Sequence, residues 1–577
     1  MADATIKSPG GQAGVGRNKK TDSRDELNIA QEAPKSQAPV RDLGAVRTLA
    51  KPLIALARKN PVPKVFAEGG QISLDLYSDS GISRWIAAGT GGLLRHTSSH
   101  GWLVYNGAIG AFQTDHAEAV LYQLMQEYEV LLGGHILLVA GTAQDKAYRE
   151  YRLFRNQPRK KSVIEAMTYE PEITMLPEQF DADDGVINCA GVAVSTDGST
   201  RPSTPADLFT MSAATKPESG EPVEFMKFAR WATCNNQELL DWIFTACGVA
   251  LYGHATGLII NPYGNGANGK GTLLRTLYKV IGSHAGGYSV TLPRNLVIKE
   301  PGTQSRFDKE GLPGKRAAIL FDLSVDEGKL NIGELKSIAG DGDMVTVEPK
   351  GKKVYSCRLK CKIFLASNDK IPIDSFDESE KRRFRLVPFN AHIDDKDETL
   401  EARFIPEYGK ILNLFIEYAV KYYANGRKMP PCKAIDVATQ QYFDQQDIIG
   451  QFIKDICTVN TAAMFPKTEL YHHFENYCLN EHGIKKPIKA KTFAGAMEKL
   501  GYWESRQRYN GKITRVFMGI TLAVVDNVDM NSQNPSHSYK NSSRRDQLEF
   551  DESLSTLSTT TFSATTQNEE SEDEPPF

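Results

Sequence analysis

One stretch, Gly264-Asn265-Gly266-Ala267-Asn268-Gly269-Lys270-Gly271-Thr272, constrains this chain more than any other. It follows the apolar run Leu258-Ile259-Ile260. It precedes Leu273 to Val280, whose apolar spacing predicts a helix. Strand, glycine-rich loop and helix in that order form the setting of a phosphate-binding loop. Glycines let backbone N–H groups turn inward around a triphosphate, and the dipole of the following helix favours the negative charge. Lys270 would then meet the terminal phosphates as a point charge. The competing interpretation is a surface turn rich in Gly and Asn. The flanks and spacing favour a nucleoside triphosphate.

The usual pattern places Ser or Thr directly after the lysine, as a magnesium ligand. Here Gly271 holds that place and the hydroxyl comes at Thr272. Either Thr272 ligates the metal, or water does, since magnesium keeps several waters in such sites.

Downstream, Ala317-Ala318-Ile319-Leu320-Phe321 predicts a buried parallel strand that delivers Asp322 to its C-terminal edge. Asp322 is the candidate for holding magnesium and orienting an attacking water, with Asp326 and Glu327 as weaker candidates. A strand-terminal acid without a metal role is the alternative. A second apolar strand, Ile363 to Ser367, ends at Asn368, a candidate sensor of the terminal phosphate. The segment Glu380-Lys381-Arg382-Arg383-Phe384-Arg385 offers an arginine finger for a neighbouring subunit's nucleotide, with Arg383 favoured and Arg382 next.

At 577 residues the chain should hold several domains. Its net charge of -3 excludes a generally basic nucleic-acid coat, so contacts of that kind must be local. No apolar run approaches a membrane span and the N-terminus lacks a signal-peptide core, so an intracellular, cytoplasmic protein is expected. The eight dispersed cysteines suit free thiols in a reducing compartment. Residues 1–46 read as a disordered arm and 526–577 as a disordered acidic tail. Between them lie a mixed α/β region (47–215), a helical collar (216–253), an α/β nucleotide-binding domain (254–430) and a basic module (437–525). The basic stretch Arg152 to Lys161 reads as a solvated helix face, with nucleic-acid contact as the alternative.

The motif series resembles the superfamily 3 helicases, ring-forming members of the AAA+ group, and within them the phage, plasmid and poxvirus primase-helicases. The resemblance rests on the Gly-Asn-Gly-x-Asn-Gly-Lys loop, Asp322, the segment from Leu335-Lys336 to Gly340-Asp341, Asn368 and the run from Arg382-Arg383 to Pro388-Phe389. Softer matches extend it over about residues 90 to 525. The resemblance implies a parallel sheet flanked by helices, and a homohexameric ring around one DNA strand. ATP and magnesium would sit between subunits, Lys270, Asp322 and Asn368 coming from one side and an arginine from the next. It implies a pore hairpin whose Lys350, Lys352 and Lys353 track backbone phosphates, against the alternative of a solvated turn. Single-stranded and forked DNA are then the substrates. The residues before the resemblance leave no room for a polymerase domain, so no primer synthesis is expected. An origin-binding initiator whose ATPase only switches assembly is the rival reading, and a packaging or remodelling motor a third.

Residues 437–525 show helical patterns followed by a hairpin signal at Tyr509-Asn510-Gly511-Lys512, suggesting a winged helix. Lys485, Lys486, Lys489, Lys491, Lys499, Arg506, Arg508, Lys512 and Arg515 make it basic, which suits duplex origin DNA; a basic but idle surface is the alternative. The final residues, Glu569 to Phe577, resemble the acidic, Pro- and Phe-ended terminus of bacterial single-stranded-DNA-binding proteins. That resemblance implies recruitment of host replication or repair proteins; a solubilising tail is the alternative.

Overall fold

The computed structural model describes residues 43–59, 78–138, 140–299, 307–324, 328–340, 344–348, 350, 354–373, 378–393, 397–484 and 486–523. These fall into two compact units that divide after Ile448. Asp326, Glu327, Lys352, Lys353, Lys485, Phe577 and nearly all of both expected disordered ends lie outside the described residues.

The apolar runs of the first unit become five parallel strands: β1 (Ile259–Tyr263), β2 (Ser289–Thr291), β3 (Ala317–Leu323), β4 (Lys362–Ser367) and β5 (Phe384–Pro388). Their order across the sheet is β5-β1-β4-β3-β2. Alternate residues feed two cores, as the two-residue period of a strand requires. Ile260, Ala317, Ile319 and Phe364 pack on one face with the helix Lys270–Val280 and with Phe244 and Phe415. Ile259, Ala318, Leu320 and Ile363 pack on the other with the helix Ile332–Ala339 and with Tyr442 and Phe443. Both faces are therefore dry, which is why these strands read as unbroken apolar runs.

N-terminal to the sheet, helices Leu43–Lys59, Asp79–Gly89, Ala119–Ile136, Thr142–Phe154 and Gln157–Met167 surround an antiparallel sheet of Leu94–Thr97, Gly101–Asn106 and Ala111–Thr114. Their core centres on Trp85 and Tyr128, edge to face at 4.8 Å. The basic stretch here is only partly solvated. Phe154 is buried, Lys160 pairs with Glu129 at 2.7 Å, and Arg159 pairs with Asp79 at 2.8 Å. Helices Val223–Ala232 and Gln237–Val249 join the core of the parallel sheet.

Arg316 and Lys362, at the entry to β3 and β4, are buried cations that no local pattern predicts. Arg316 donates to the carbonyls of Val186 (3.1 Å) and Leu251 (2.6 Å) and lies 4.4 Å from the Tyr288 ring centroid. Lys362 donates to the Tyr252 carbonyl, and burial pushes its ammonium pKa down to about 7. Buried charge is tolerated only where such partners satisfy it.

The expected module boundary at 437 falls inside the helix Lys433–Gln446, which belongs to the first unit. Tyr442 stacks on Phe384 at 5.2 Å, and the Thr439 hydroxyl accepts from the Leu386 N–H at 3.0 Å. The second unit runs helix Ile448–Ile456, strand Cys457–Pro466, helices Lys467–His482 and Ala490–Lys499, then strands Glu504–Tyr509 and Lys512–Leu522. The first of these strands pairs antiparallel with the last, giving a three-stranded sheet where the sequence predicted a two-stranded wing. Residues Thr458 to Thr461 are all exposed, and Val459 stands alone among polar neighbours, which hid the strand from a search for apolar alternation.

Candidate nucleotide site

β1 lies between β4 and β5, so the chain leaves it toward β2 and later crosses back to its other side. Ligands of open parallel sheets bind at such a reversal, outside the C-terminal strand ends. The glycine-rich loop begins at that place. Gly264 runs at φ +156°, and a Cβ there would stand 2.2 Å from the Phe389 carbonyl oxygen. Gly269 has φ +86°, and a Cβ would meet Phe228 at 2.8 Å and Trp231 at 3.1 Å. The Asn268 side chain donates to the Phe389 carbonyl at 3.0 Å, and the Ile393 N–H reaches the Ala267 carbonyl at 3.2 Å. The segment after β5 thus clamps the loop in place.

Lys270 opens the helix and is only 8% exposed. Its Nζ donates to the Gly264 carbonyl at 2.8 Å and to Asn368 Oδ1 at 2.7 Å. Asn368 stands just past β4, so the loop lysine and the strand-end amide, 98 residues apart, meet directly. Burial lowers the Lys270 pKa, while the charges of Asp322 and Asp369 oppose that shift. Asp322 is the exposed penultimate residue of β3, which runs on to Leu323 instead of ending at the acid. Asp369 was missed by the sequence reading, although its place directly after Asn368 at a strand end was visible. Asn268 Oδ1 also accepts from the ammonium, at 3.4 Å, so the arrangement is one ammonium, two amides and two carboxylates at the mouth of a backbone cradle: donors for phosphate oxygens beside acids for a divalent cation.

Thr272 is not part of this cluster. Two residues along a helix place it about 200° round from Lys270. Its hydroxyl accepts instead from Arg275 Nη2 at 3.3 Å. Of the two alternatives for the metal, this geometry favours water. Among the described residues no group of three His, Cys, Asp or Glu side chains could hold a metal ion by itself. A nucleotide-borne magnesium needs only one or two carboxylates.

Arg382 and Arg383 end the helix Glu378–Arg383, immediately before β5. β5 pairs with β1 from Phe384↔Ile259 to Pro388↔Tyr263, so the two arginines lie at the opposite strand edge from the loop, about 13 Å away along the strand. Arg382 is exposed, and Arg383 packs against Gly257. Arg385 is occupied locally, donating to the carbonyls of Lys381 (2.8 Å) and Phe384 (2.9 Å). Beside the loop, a cavity of about 690 Å³ is lined by Tyr263, Pro388, Asn390, Val437 and Gln441. A separate antiparallel hairpin, Met344–Val347 with Tyr355–Arg358, carries exposed Lys350 in its connection. In the second unit Lys489, Lys491, Arg506 and Arg508 are all exposed.

Two known families match this chain. Residues 80–243 match one described as "D5 N terminal like". Residues 263–383, from the last residue of β1 to Arg383, match a family of unknown function, DUF5906. Among curated proteins, one named "Putative primase" from African swine fever virus (isolate Warthog/Namibia/Wart80/1980) is 28% identical over 242 residues, 38% of this chain and 25% of the relative. One named "Putative helicase" from Acanthamoeba polyphaga mimivirus is 24% identical over 249 residues, 39% of this chain and 25% of the relative. The matched region spans a quarter of the length of these relatives. A solved structure, the apo C-terminal region of NrS-1, covers 74% of this chain and 95% of its own at 13% identity and TM-score 0.38. The two curated matches relate the chain to viral proteins named as primase or helicase. No helix among the described residues is long and apolar enough to cross a membrane.

Proposed function

We propose that this chain is an ATP-dependent DNA helicase of superfamily 3 type, working as a ring of identical subunits on single-stranded and forked DNA. The observation that carries the reading is the bond between Lys270 Nζ and Asn368 Oδ1, with Asp322 acting on the same ammonium. A loop lysine, a strand-end amide and a strand-end carboxylate converge where the sheet order reverses. Lys270 and the loop N–H groups would hold the β- and γ-phosphates, and Asn368 would sense the γ-phosphate. Asp322 would hold magnesium through its water shell and orient the attacking water. The base would lie in the cavity beside Tyr263.

Arg382 and Arg383 lie at the far strand edge from the loop, and the proposal is that one of them serves a neighbouring subunit's site. Exposed Lys350 would meet backbone phosphates. The helices and sheet of the second unit have the element order of a winged helix, for which duplex DNA is the proposed partner.

ATP hydrolysis and fork unwinding should be compared for wild type, Lys270→Ala and Arg383→Ala. Each substitution should abolish both activities, and mixing the two variants should restore part of the hydrolysis if sites are shared between subunits. Hydrolysis without strand displacement in the wild type would favour an assembly switch. Full hydrolysis by Lys270→Ala would refute the site.

A further inference from the structure

The second unit ends in a two-stranded ribbon that its own sheet does not cover. The strand Cys457–Pro466 pairs with the last strand only from Val516 onward. Residues 506–509 and 512–515, joined by the Asn510-Gly511 turn, pair with each other alone. Arg506 stands directly opposite Arg515, and Arg508 opposite Ile513. Opposed and next-but-one residues share a face, so three guanidiniums and one apolar side chain project together. Like charges placed directly opposite destabilise a sheet unless an anion lies between or over them. Among the described residues none of the three arginines has an ion-pair or hydrogen-bond partner. Ile513, 78% exposed, has no core to join. The other face carries Gln507 opposite Thr514 and, beside the turn, Tyr509 opposite Lys512, one cation against three.

The same ribbon face continues inward to Phe517, which packs 6.3 Å from Phe493 of the helix Ala490–Lys499. Ribbon arginines and helix therefore present one side to one partner. Their chemistry differs. The helix, Ala-Lys-Thr-Phe-Ala-Gly-Ala-Met-Glu-Lys, carries no Arg, Asn or Gln, the side chains that grip base edges with two hydrogen bonds. Its lysines suit phosphates, and its small residues permit close approach to a backbone.

We infer that base sequence is read by the ribbon and not by this helix, with Arg506, Arg508 and Arg515 entering the major groove of duplex DNA against guanine edges. The inference rests on the duplex-binding reading above. A paired ribbon fits the major groove, about 12 Å wide, but not the minor groove of about 6 Å. Arginine to guanine O6 and N7 is the commonest specific contact, and an apolar side chain such as Ile513 suits a thymine methyl.

The test uses the full chain and a randomised duplex pool. Wild type should enrich a guanine-containing motif, and replacing its guanines by 7-deazaguanine, which lacks N7, should weaken binding about tenfold. Arg506→Lys with Arg515→Lys keeps the charge but removes the fork, so enrichment should vanish while unselected duplex is still bound. Lys489→Ala with Lys491→Ala should weaken all duplexes alike. An enriched motif that survives the arginine changes, or one indifferent to 7-deazaguanine but lost to a minor-groove polyamide, overturns the inference. Duplex binding without any enriched motif overturns it while leaving the duplex-binding reading intact. Failure to bind any duplex overturns both.

Discussion

Replacing Gly269 by alanine tests whether the loop conformation is held by the helices beneath it. Two separate costs apply. At φ +86° an L-residue is left-handed, at about 1–2 kcal/mol. The added methyl would also stand 2.8 Å from Phe228, 3.1 Å from Trp231 and 3.2 Å from the Ala232 Cβ. Phe228 is locked among Phe225, Trp231 and Phe404, at ring distances of 6.2, 6.2 and 5.5 Å. Overpacking of that kind adds about 1–3 kcal/mol. Gly266→Ala is the control, since Gly266 has φ +85° but nothing within 4 Å of the added atom. Gly269→Ala should therefore exceed Gly266→Ala by about 1–3 kcal/mol in urea unfolding. If the strain is relieved by shifting the loop, the same energy should weaken fluorescent-ATP binding about 5- to 150-fold. Phe228→Leu in the Gly269→Ala background should recover part of the loss. Equal effects of the two glycine changes, or no rescue, would refute the packing argument.

Three further outcomes follow from the site and the sheet. Thr272→Val should leave magnesium-dependent hydrolysis within about twofold of wild type, whereas Asp322→Asn should lower it on the order of a hundredfold; a raised magnesium requirement in Thr272→Val would return that hydroxyl to the metal. Asn268→Ala removes a buried bond to the Phe389 carbonyl and should cost about 1–3 kcal/mol in thermal or urea unfolding, an unchanged midpoint counting against the clamp. Lys362 keeps its proton to about pH 10.4 when unfolded but only to about 7 when folded. From pH 7 upward the unfolded chain binds more protons, so this residue makes stability rise with pH by up to about 1.4 kcal/mol per unit. Lys362→Met should flatten that rise between pH 7 and 9, and identical pH slopes in both proteins would exclude it.

The candidate nucleotide site was legible in the sequence because its signals are local. Glycines with a lysine between strand and helix, and apolar runs ending in Asp322 and Asn368, are read without knowing which strands pair. The meeting of Lys270 with Asn368 followed only because both runs are parallel strands, whose C-terminal ends must share an edge. Long-range satisfaction was not legible. Lys362 and Arg316 look like ordinary surface cations until carbonyls from Tyr252, Val186 and Leu251, at least 65 residues away, are brought to them. Asp369 was overlooked beside a more expected Asn. The helix Lys433–Gln446 was assigned to the wrong unit because its partner on β5, Phe384, lies more than fifty residues earlier and no periodicity reveals which core an apolar face will join.

Arg316 has a practical consequence. The two matched regions, 80–243 and 263–383, look separable on the chain, yet this guanidinium belongs to one and is satisfied by Val186 of the other. Lys360 is likewise paired with Asp184 across the same junction. Cutting the polypeptide near residue 216 to isolate the C-terminal half would remove the Val186 and Asp184 partners of Arg316 and Lys360 and open to water the apolar seam now covered by Ile187, Cys189 and Val194. A fragment made that way should precipitate or bind detergents and dyes, and its poor behaviour would say nothing about the catalytic competence of the intact protein.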